Sequence, residues 1–188
     1  MPIKFCSLFL KKGIIKFFNN IYYYKNLIEK EKKIFLENYF YPLDSLLNWN
    51  ILYGKKGFIQ YQFVIPKNNG IKILKKILNI ISKNSNRPFL AVLKIFGSQN
   101  DNYLSFPMEG YTLALDFKVT NNLYQLINLL DQIIIDNGGR IYLTKDTLMT
   151  KEIFRACYPR WHLFEQIRLK YKAVGKFSSH QSRRLGLL

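Results

Sequence analysis

The segment Gly57-Phe58-Ile59-Gln60-Tyr61-Gln62-Phe63-Val64-Ile65-Pro66 decides the fold, because it predicts a β-strand with one apolar and one polar face. Side chains alternate along a strand, so residues two apart share a face. The apolar face carries Ile59, Tyr61, Phe63 and Ile65, and the opposite face carries Gln60 and Gln62. Proline cannot donate to a ladder of backbone hydrogen bonds, so we expect the strand to stop at Pro66.

The residues after Pro66 alternate between helix and strand patterns. Apolar residues recur at helical spacing in two segments, first at Ile71, Leu74, Leu78 and Ile81, then at Leu123, Leu126, Ile127, Leu130 and Ile134. Asn68 or Asn69 is a suitable N-cap for the first helix, and Gly138–Gly139 ends the second. Strands are predicted at Phe89–Phe96, Tyr111–Val119 and Arg140–Thr144. A third helix is predicted from Lys151 to about Tyr171, broken or kinked at Pro159.

The order β-α-β-β-α-β predicts an α+β fold of the split βαβ type, in which an antiparallel sheet carries both helices on one face. Residues 1–40 are basic and aromatic without a dominant period, and we expect them to be irregular with one helix. Two interpretations remain for this region. It is either an amphipathic membrane-surface segment or, as we prefer, a segment that packs onto a domain whose beginning is missing.

The other strands also place polar side chains on one face. Lys94 shares a face with Leu90 and Val92, and Thr112 shares one with Ala114 and Asp116. On its own this pattern favours a helix-covered sheet whose other face meets water. Gln60 and Gln62 interrupt an otherwise apolar strand, however, and amides that both donate and accept hydrogen bonds suit sugar hydroxyls. The polar face is therefore also a candidate polyol-binding wall.

The composition excludes several classes of protein. A net charge of +17 would favour an anionic partner, but Ile, Lys and Asn, which A/T-rich codons encode, form close to a third of the chain. The basic residues are scattered and mostly Lys, so we expect no nucleic-acid partner and only weak attraction to anionic lipid.

With only Cys6, Cys157, His162 and His180 available, we expect neither a disulfide framework nor a zinc site. No apolar run is long enough for a membrane span or a signal peptide, so we expect a cytoplasmic protein.

No self-contained catalytic motif occurs, whether G-x-S-x-G, H-E-x-x-H, a P-loop or G-x-G-x-x-G. We expect His162 to be a packing or surface residue and Cys157 to be a small buried apolar residue. The adjacent Lys145 and Asp146 are expected to form a turn or surface feature rather than an acid–base pair. By strict alternation Tyr142 and Lys145 fall on opposite faces, unless a bulge or strand end intervenes.

A set of ordered strings nevertheless resembles a known family. They are Tyr41-Pro42-Leu43-Asp44, Trp49-Asn50, Tyr53-Gly54, residues 57–66, Lys94-Ile95-Phe96-Gly97, Leu104-Ser105-Phe106-Pro107, Gly138-Gly139-Arg140-Ile141-Tyr142, Lys145-Asp146, Tyr158-Pro159-Arg160 and Ser182-Arg183-Arg184-Leu185. In order and spacing, from about residue 20 to the end, they resemble the C-terminal half of the decaprenylphosphoryl-β-D-ribose 2′-oxidase family. These are FAD-dependent enzymes of the vanillyl-alcohol-oxidase and aldonolactone-oxidase superfamily.

The resemblance implies oxidation of a sugar hydroxyl, with hydride transfer to flavin N5. The sugar is lipid-linked or free, and a reductase partner follows in the best-known branch. The implied substrate pocket is lined by Gln60, Gln62, Lys94 and Lys145 and packed by Leu90 and Val92, with Lys145 as the catalytic cation and Tyr142 beside the isoalloxazine. Thr112 and Ala114 stand where a well-studied branch has Asn and Cys, and Phe40 stands where the family often has Tyr, so the identity of the sugar stays open.

In that family the phosphate-binding loop and nearly all contacts to FAD lie in an N-terminal half without a counterpart in this sequence. We therefore expect residues 1–138 to form part of a substrate-binding domain and residues 139–188 to return to an absent FAD domain. The FAD-binding half would be encoded separately, and the chain alone would not turn over. There are two rival hypotheses. The first is a basic module that binds either the inner face of a membrane or nucleic acid, and the second is the remnant of a decayed gene.

Overall fold

The computed structural model describes residues 12–28, 31, 33–41, 53 and 55–187. Two compact units are present, residues 1–58 and 59–188. The first contains helices α1 (Lys12–Ile28) and α2 (Leu36–Phe40). The prediction of an irregular region with one helix is therefore wrong for the described part of residues 1–40, which is mostly helical. Cys6 lies outside the described residues, as do residues 42–50 and Gly54, which carry part of the family resemblance.

The second unit is built on a four-stranded antiparallel sheet, as the sequence predicts. Its strands are β1 (Phe58–Pro66), β2 (Leu90–Phe96), β3 (Gly110–Lys118) and β4 (Arg140–Ile141), in the spatial order β2-β3-β1-β4. β2 and β3 pair through seven consecutive positions, from Leu90 opposite Asp116 to Phe96 opposite Gly110. β1 pairs with β4 through Phe63 opposite Ile141 and Val64 opposite Arg140. The two central strands, β1 and β3, therefore carry the middle of the sheet.

The core lies between the sheet and helices α3 (Gly70–Lys83) and α4 (Leu123–Asp136). The predicted apolar face of β1 contributes Tyr61, Phe63 and Ile65 to this core, each at most 5% exposed. All five apolar positions predicted for α4 are buried as well. Helices α5 (Lys151–Cys157), α6 (Trp161–Lys170) and α7 (His180–Arg184) complete the unit, and Phe154, Cys157 and Leu185 join the same core.

The predicted core stripe of α3 is wrong at two positions. Ile71 and Leu78 are exposed, and Ile73 and Ile77 are buried in their place beside Leu74 and Ile81. Seven apolar residues spread over α3 allow two overlapping stripes, and contact with the sheet selects one of them. The predicted N-cap position is correct at Asn69, but that residue is left-handed (φ 60°) and its side chain makes no capping hydrogen bond.

The predicted fourth strand, Arg140–Thr144, is too long, and the predicted last helix is two helices. β4 ends at Ile141, and Leu143–Lys145 forms a 3₁₀ turn. The backbone oxygen of Leu143 accepts a hydrogen bond from Gln181 Nε2 (2.5 Å), so it is bound to a side chain from α7 rather than to a strand. Pro159 separates α5 from α6, as its missing N–H and its ring require.

Candidate functional site

A row of polar side chains crosses the sheet on the face opposite the helices. Lys94 of β2 lies directly opposite Thr112 of β3. Gln62 of β1 donates from Nε2 to Thr112 Oγ1 at 3.1 Å. The backbone N–H of Tyr142 donates to the backbone oxygen of Gln62 at 2.8 Å. The structure thus brings four of the residues singled out from the sequence into one line, which crosses β2, β3 and β1 and ends at the residue that follows β4.

Hydrogen bonding fixes which end of the Gln62 amide is available to a ligand. Thr112 Oγ1 donates its proton to the backbone oxygen of Phe63 at 2.8 Å. It can therefore only accept from Gln62, so the Gln62 amide nitrogen points at Thr112. Thr112 is fully buried and Gln62 is 8% exposed, so these two hydrogen bonds hold the Gln62 amide in one orientation. The carbonyl oxygen of Gln62 accepts no hydrogen bond from a described residue and is left for a donor such as a hydroxyl.

Gln60 repeats this arrangement one step along β1. Its Nε2 donates to Asp116 Oδ1 at 3.1 Å, and a carboxylate can only accept. The Gln60 carbonyl oxygen is therefore again the end of the amide that can accept from a ligand. In the β2–β3 register Leu90 lies opposite Asp116 and Val92 opposite Ala114, on the same face. The polar row is therefore bordered by a small apolar patch, as the alternation pattern predicts.

Lys145 lies at the end of the 3₁₀ turn and not on a strand, which resolves the conflict with Tyr142. Because the chain leaves the sheet after Ile141, strict alternation no longer applies at Lys145. Lys145 and Gln60 line one small cavity of about 10 Å³, which is about the space of one water molecule. The ammonium group of Lys145 forms no hydrogen bond or ion pair with any residue in the described part of the chain. It is a half-buried cation whose charge is available to a ligand.

Asp146 anchors this turn, a role that the sequence interpretation missed. Its side chain is only 3% exposed, so the expectation of a surface feature is wrong, although it does form a turn. Oδ1 accepts from the backbone N–H groups of Leu148 (2.9 Å) and Met149 (2.7 Å). Oδ2 pairs with Arg184 Nη2 at 2.8 Å. The only sequence signal for this contact is the helix start at Ser179, whose capping box with Ser182 places Arg184 one turn further on.

Tyr142 lies at the wall of an open groove of about 720 Å³ in the second unit. Its ring stacks on Phe106, with centroids 4.4 Å apart and planes 23° apart. Arg140 holds the loop that carries Phe106, donating to the backbone oxygen of Ser105 (2.7 Å) and to Gln99 Oε1 (2.8 Å). Other lining residues include Asn100, Asn102, Tyr103, Phe164 and Ile167. A flat aromatic wall beside an open groove is suited to a planar ring system.

A buried acid lies beneath the Lys145 turn, on the helix side of β1. Asp131 of α4 accepts a 2.5 Å hydrogen bond from Tyr61 Oη and is 3% exposed. Burial raises the pKa of Asp131 to about 6, and the Tyr61 hydrogen bond opposes this in part. Burial also raises the pKa of Tyr61 well above its usual range. Asp131 lines the same small cavity as Lys145 and was not identified from the sequence, because it looked like one polar residue in an amphipathic helix.

Two other residues considered from the sequence behave as expected. Cys157 is 2% exposed, and burial raises the pKa of its thiol to about 11, so it is an unreactive core residue. His162 is exposed, with Nδ1 3.0 Å from the backbone oxygen of Pro159. Among the described residues, no three His, Cys, Asp or Glu side chains are grouped to bind a metal ion. None of the described helices is long and apolar enough to cross a bilayer.

Sequence comparison identifies the relatives of this chain. No protein-family model matches it. It is 37% identical over 168 residues to the decaprenylphosphoryl-β-D-ribose oxidase of Mycolicibacterium smegmatis, a match that covers 89% of this chain and 36% of that enzyme. It is 22% identical over 134 residues to an L-gulono-1,4-lactone dehydrogenase of Mycobacterium tuberculosis, covering 70% and 31% respectively. It is also 35% identical over 97 residues to an uncharacterised protein of Streptomyces coelicolor, covering 51% and 26%.

Both named relatives are oxidoreductases, and this chain spans about a third of the length of each. The stronger match extends over 89% of the chain. By sequence, the chain belongs to the family of decaprenylphosphoryl-β-D-ribose oxidase-like oxidoreductases.

Proposed function

We propose that this chain supplies the substrate-binding sheet of an FAD-dependent oxidoreductase that oxidises a CH–OH group of a sugar or sugar lactone. The observation that carries the proposal is the pair of Gln60 and Gln62, whose amide nitrogens are bound within the sheet so that both carbonyl oxygens can accept from a ligand. The unpaired cation of Lys145 shares a small cavity with Gln60. Acceptor oxygens and a cation match a substrate rich in hydroxyl groups. The names of the relatives, a ribose oxidase and a gulonolactone dehydrogenase, support the same class of substrate.

Each residue of the site has a distinct role in this proposal. Gln60 and Gln62 accept hydrogen bonds from sugar hydroxyls, and Lys94 binds a further oxygen or an anionic group of the substrate. Lys145 binds the hydroxyl that is oxidised and stabilises negative charge that develops on its oxygen. The sugar packs against Leu90, Val92 and Ala114, and the buried Thr112 orients Gln62 behind them.

The groove beside Tyr142 fits the ring system of FAD, because it is open, larger than one aromatic ring and walled by the Tyr142–Phe106 stack. Bound FAD would supply the hydride acceptor. Tyr142 would contact the ring system and help to keep water away from it. We further propose that most of the remaining contacts to FAD come from a polypeptide region that corresponds to the part of the relatives outside the match.

A single-chain chimera tests the substrate role without depending on the association of two polypeptides. In it, residues of this chain replace the matching segment of the M. smegmatis oxidase. Loss of flavin absorbance is followed without oxygen after addition of decaprenylphosphoryl-ribose or gulonolactone. We expect Lys145→Ala to slow flavin reduction at least about 100-fold, the cost of removing one charge-stabilising group. The control Lys83→Ala, at an exposed position of α3, leaves the rate unchanged. Equal rates for both variants would overturn the role of Lys145.

The chain by itself tests the location of the cofactor site. We expect the purified chain to be colourless, because FAD is held mainly elsewhere in this proposal. A tightly bound flavin, visible in the absorption spectrum of the chain alone, would contradict that part of the proposal. An insoluble chain that no partner rescues would instead favour the remnant of a decayed gene.

A second candidate function is attachment to an anionic membrane surface, and helix α1 favours it. Phe17, Phe18 and Ile21 are each more than half exposed on this helix, which also carries Lys16 and Lys25. Exposed aromatic residues flanked by lysines are typical of helices that lie in the membrane interface. Sedimentation with anionic and with neutral vesicles measures this. Binding to the anionic vesicles alone, lost in Phe17→Ser/Phe18→Ser, is the expected result, and equal recovery in the absence of lipid contradicts it.

A further inference from the structure

The helix layer covers three strands of the sheet but leaves β2 uncovered. Leu93 and Ile95 lie opposite Leu113 and Tyr111 of β3 and share their face, towards the helices. Leu113 is 3% exposed, whereas Leu93 is 59% and Ile95 71% exposed. The boundary of the core therefore runs between two adjacent strands. Two large apolar side chains are left in water on the side of the sheet that is elsewhere buried.

β2 is also an edge strand with little of the usual protection against pairing, since Lys94 is its only charged residue. Six of its seven residues are apolar, and its pairing with β3 is regular over the whole strand. In the described sheet it has a strand neighbour on one side only. Edge strands of folded proteins are normally short, charged, bulged or covered, since an apolar edge is a template for another strand. The β2 edge is thus suited to pairing with another strand.

We infer that the β2 edge pairs with a β-strand of the polypeptide region that completes the oxidoreductase, and that the same region covers Leu93 and Ile95. This inference rests on the proposed function. The M. smegmatis relative has 64% of its length outside the match, which is ample to supply a strand and a covering segment. A second copy of this chain is a poorer occupant, because the net charge of +17 on each chain opposes their association.

The position of the β2 edge connects this pairing to the candidate site. Lys94, Val92 and Leu90 project from the opposite face of the same strand, at the end of the polar row. A strand added to β2 would extend the sheet beside these residues and close that side of the site. Pairing would therefore bury the apolar edge and complete the substrate-binding wall in one step.

The test uses the full chain and, as partner, the unmatched part of the M. smegmatis oxidase produced as a separate polypeptide. Binding is measured by calorimetry without flavin, and hydrogen exchange is measured at the amides of residues 90–96. We expect binding to slow exchange in β2. The variant Leu93→Lys/Ile95→Lys should bind at least about tenfold more weakly at an unchanged melting temperature, because it introduces two charges where apolar contact is needed.

The matched control is Tyr124→Lys/Leu129→Lys, which adds the same charges at exposed positions of α4, the helix that leads to the opposite edge of the sheet. It should bind like the wild type. The inference is overturned if the β2 variant also binds like the wild type, if the wild type does not bind, or if light scattering shows a homodimer that the β2 variant separates. A complex that protects β2 but holds no flavin contradicts the proposed function alone. An active chimera with an unaffected β2 variant contradicts this inference alone.

Discussion

Replacing Asp131 with Asn should remove a pH dependence of stability that is built into the core. Asp131 is buried against Tyr61, and burial raises its pKa to about 6, while in the unfolded chain it titrates near 4. Between these values the folded state binds more protons than the unfolded state, so stability falls as pH rises. A shift of about two pKa units corresponds to roughly 3 kcal/mol, lost between about pH 4 and pH 6 and absent above that range.

Urea unfolding followed by circular dichroism, from about pH 4 to about pH 7.5, measures the effect. Asn keeps the shape of Asp and a carbonyl oxygen that can accept from Tyr61, but it does not ionise. As the pH rises across this range, the free energy of unfolding of the wild type should therefore fall by roughly 3 kcal/mol relative to that of Asp131→Asn. Asp136→Asn, at an exposed position of the same helix, should keep the wild-type slope. Parallel curves for Asp131→Asn and the wild type would refute the argument.

Two further substitutions test how the site and the sheet are held together. Arg184→Met leaves the buried Asp146 carboxylate without its cation, which should lower the free energy of unfolding by about 2–3 kcal/mol. Urea unfolding measures this, with Arg183→Met at an exposed position as the control that should not change. Equal free energies of unfolding for the two variants would contradict the anchoring role of Asp146. Gly110→Ala would place a Cβ in steric overlap with the backbone oxygen of Ile65 in β1, so the melting temperature should fall by at least about 10 °C. Gly97→Ala, which meets nothing within 4 Å, should change it little, and a similar melting temperature for both variants would contradict the close packing of β1 on β3.

The core face of the sheet could be predicted from the sequence because β1 and β3 both have large apolar residues at every second position. In β1 each second residue is large and apolar, and one register buries them all, so Tyr61, Phe63 and Ile65 leave no alternative. The polar row followed from the same rule applied to the other strands. α3 was less determined, since its apolar residues cover more than one face and only contact with the sheet decides which of them are buried.

The turn that carries Lys145 could not be predicted, because distant residues shape it. Gln181 binds the backbone oxygen of Leu143 and Arg184 pairs with Asp146, both across more than 30 residues of sequence. Local propensity contains no trace of such contacts, and Arg140–Thr144 looks like an ordinary strand when they are ignored. The burial of Asp131 escaped prediction for the same reason, since its partner Tyr61 lies 70 residues earlier.

The anchoring of Asp146 by Arg184 has a consequence for biosynthesis. While the ribosome is still translating the segment that carries Arg184, the sheet and its two covering helices are already available to fold, but the cation that neutralises Asp146 has not yet emerged. A nascent chain would then hold its four strands before Lys145 reaches its final place. Assembly of the ligand-binding end would thus be delayed until translation of this segment is finished.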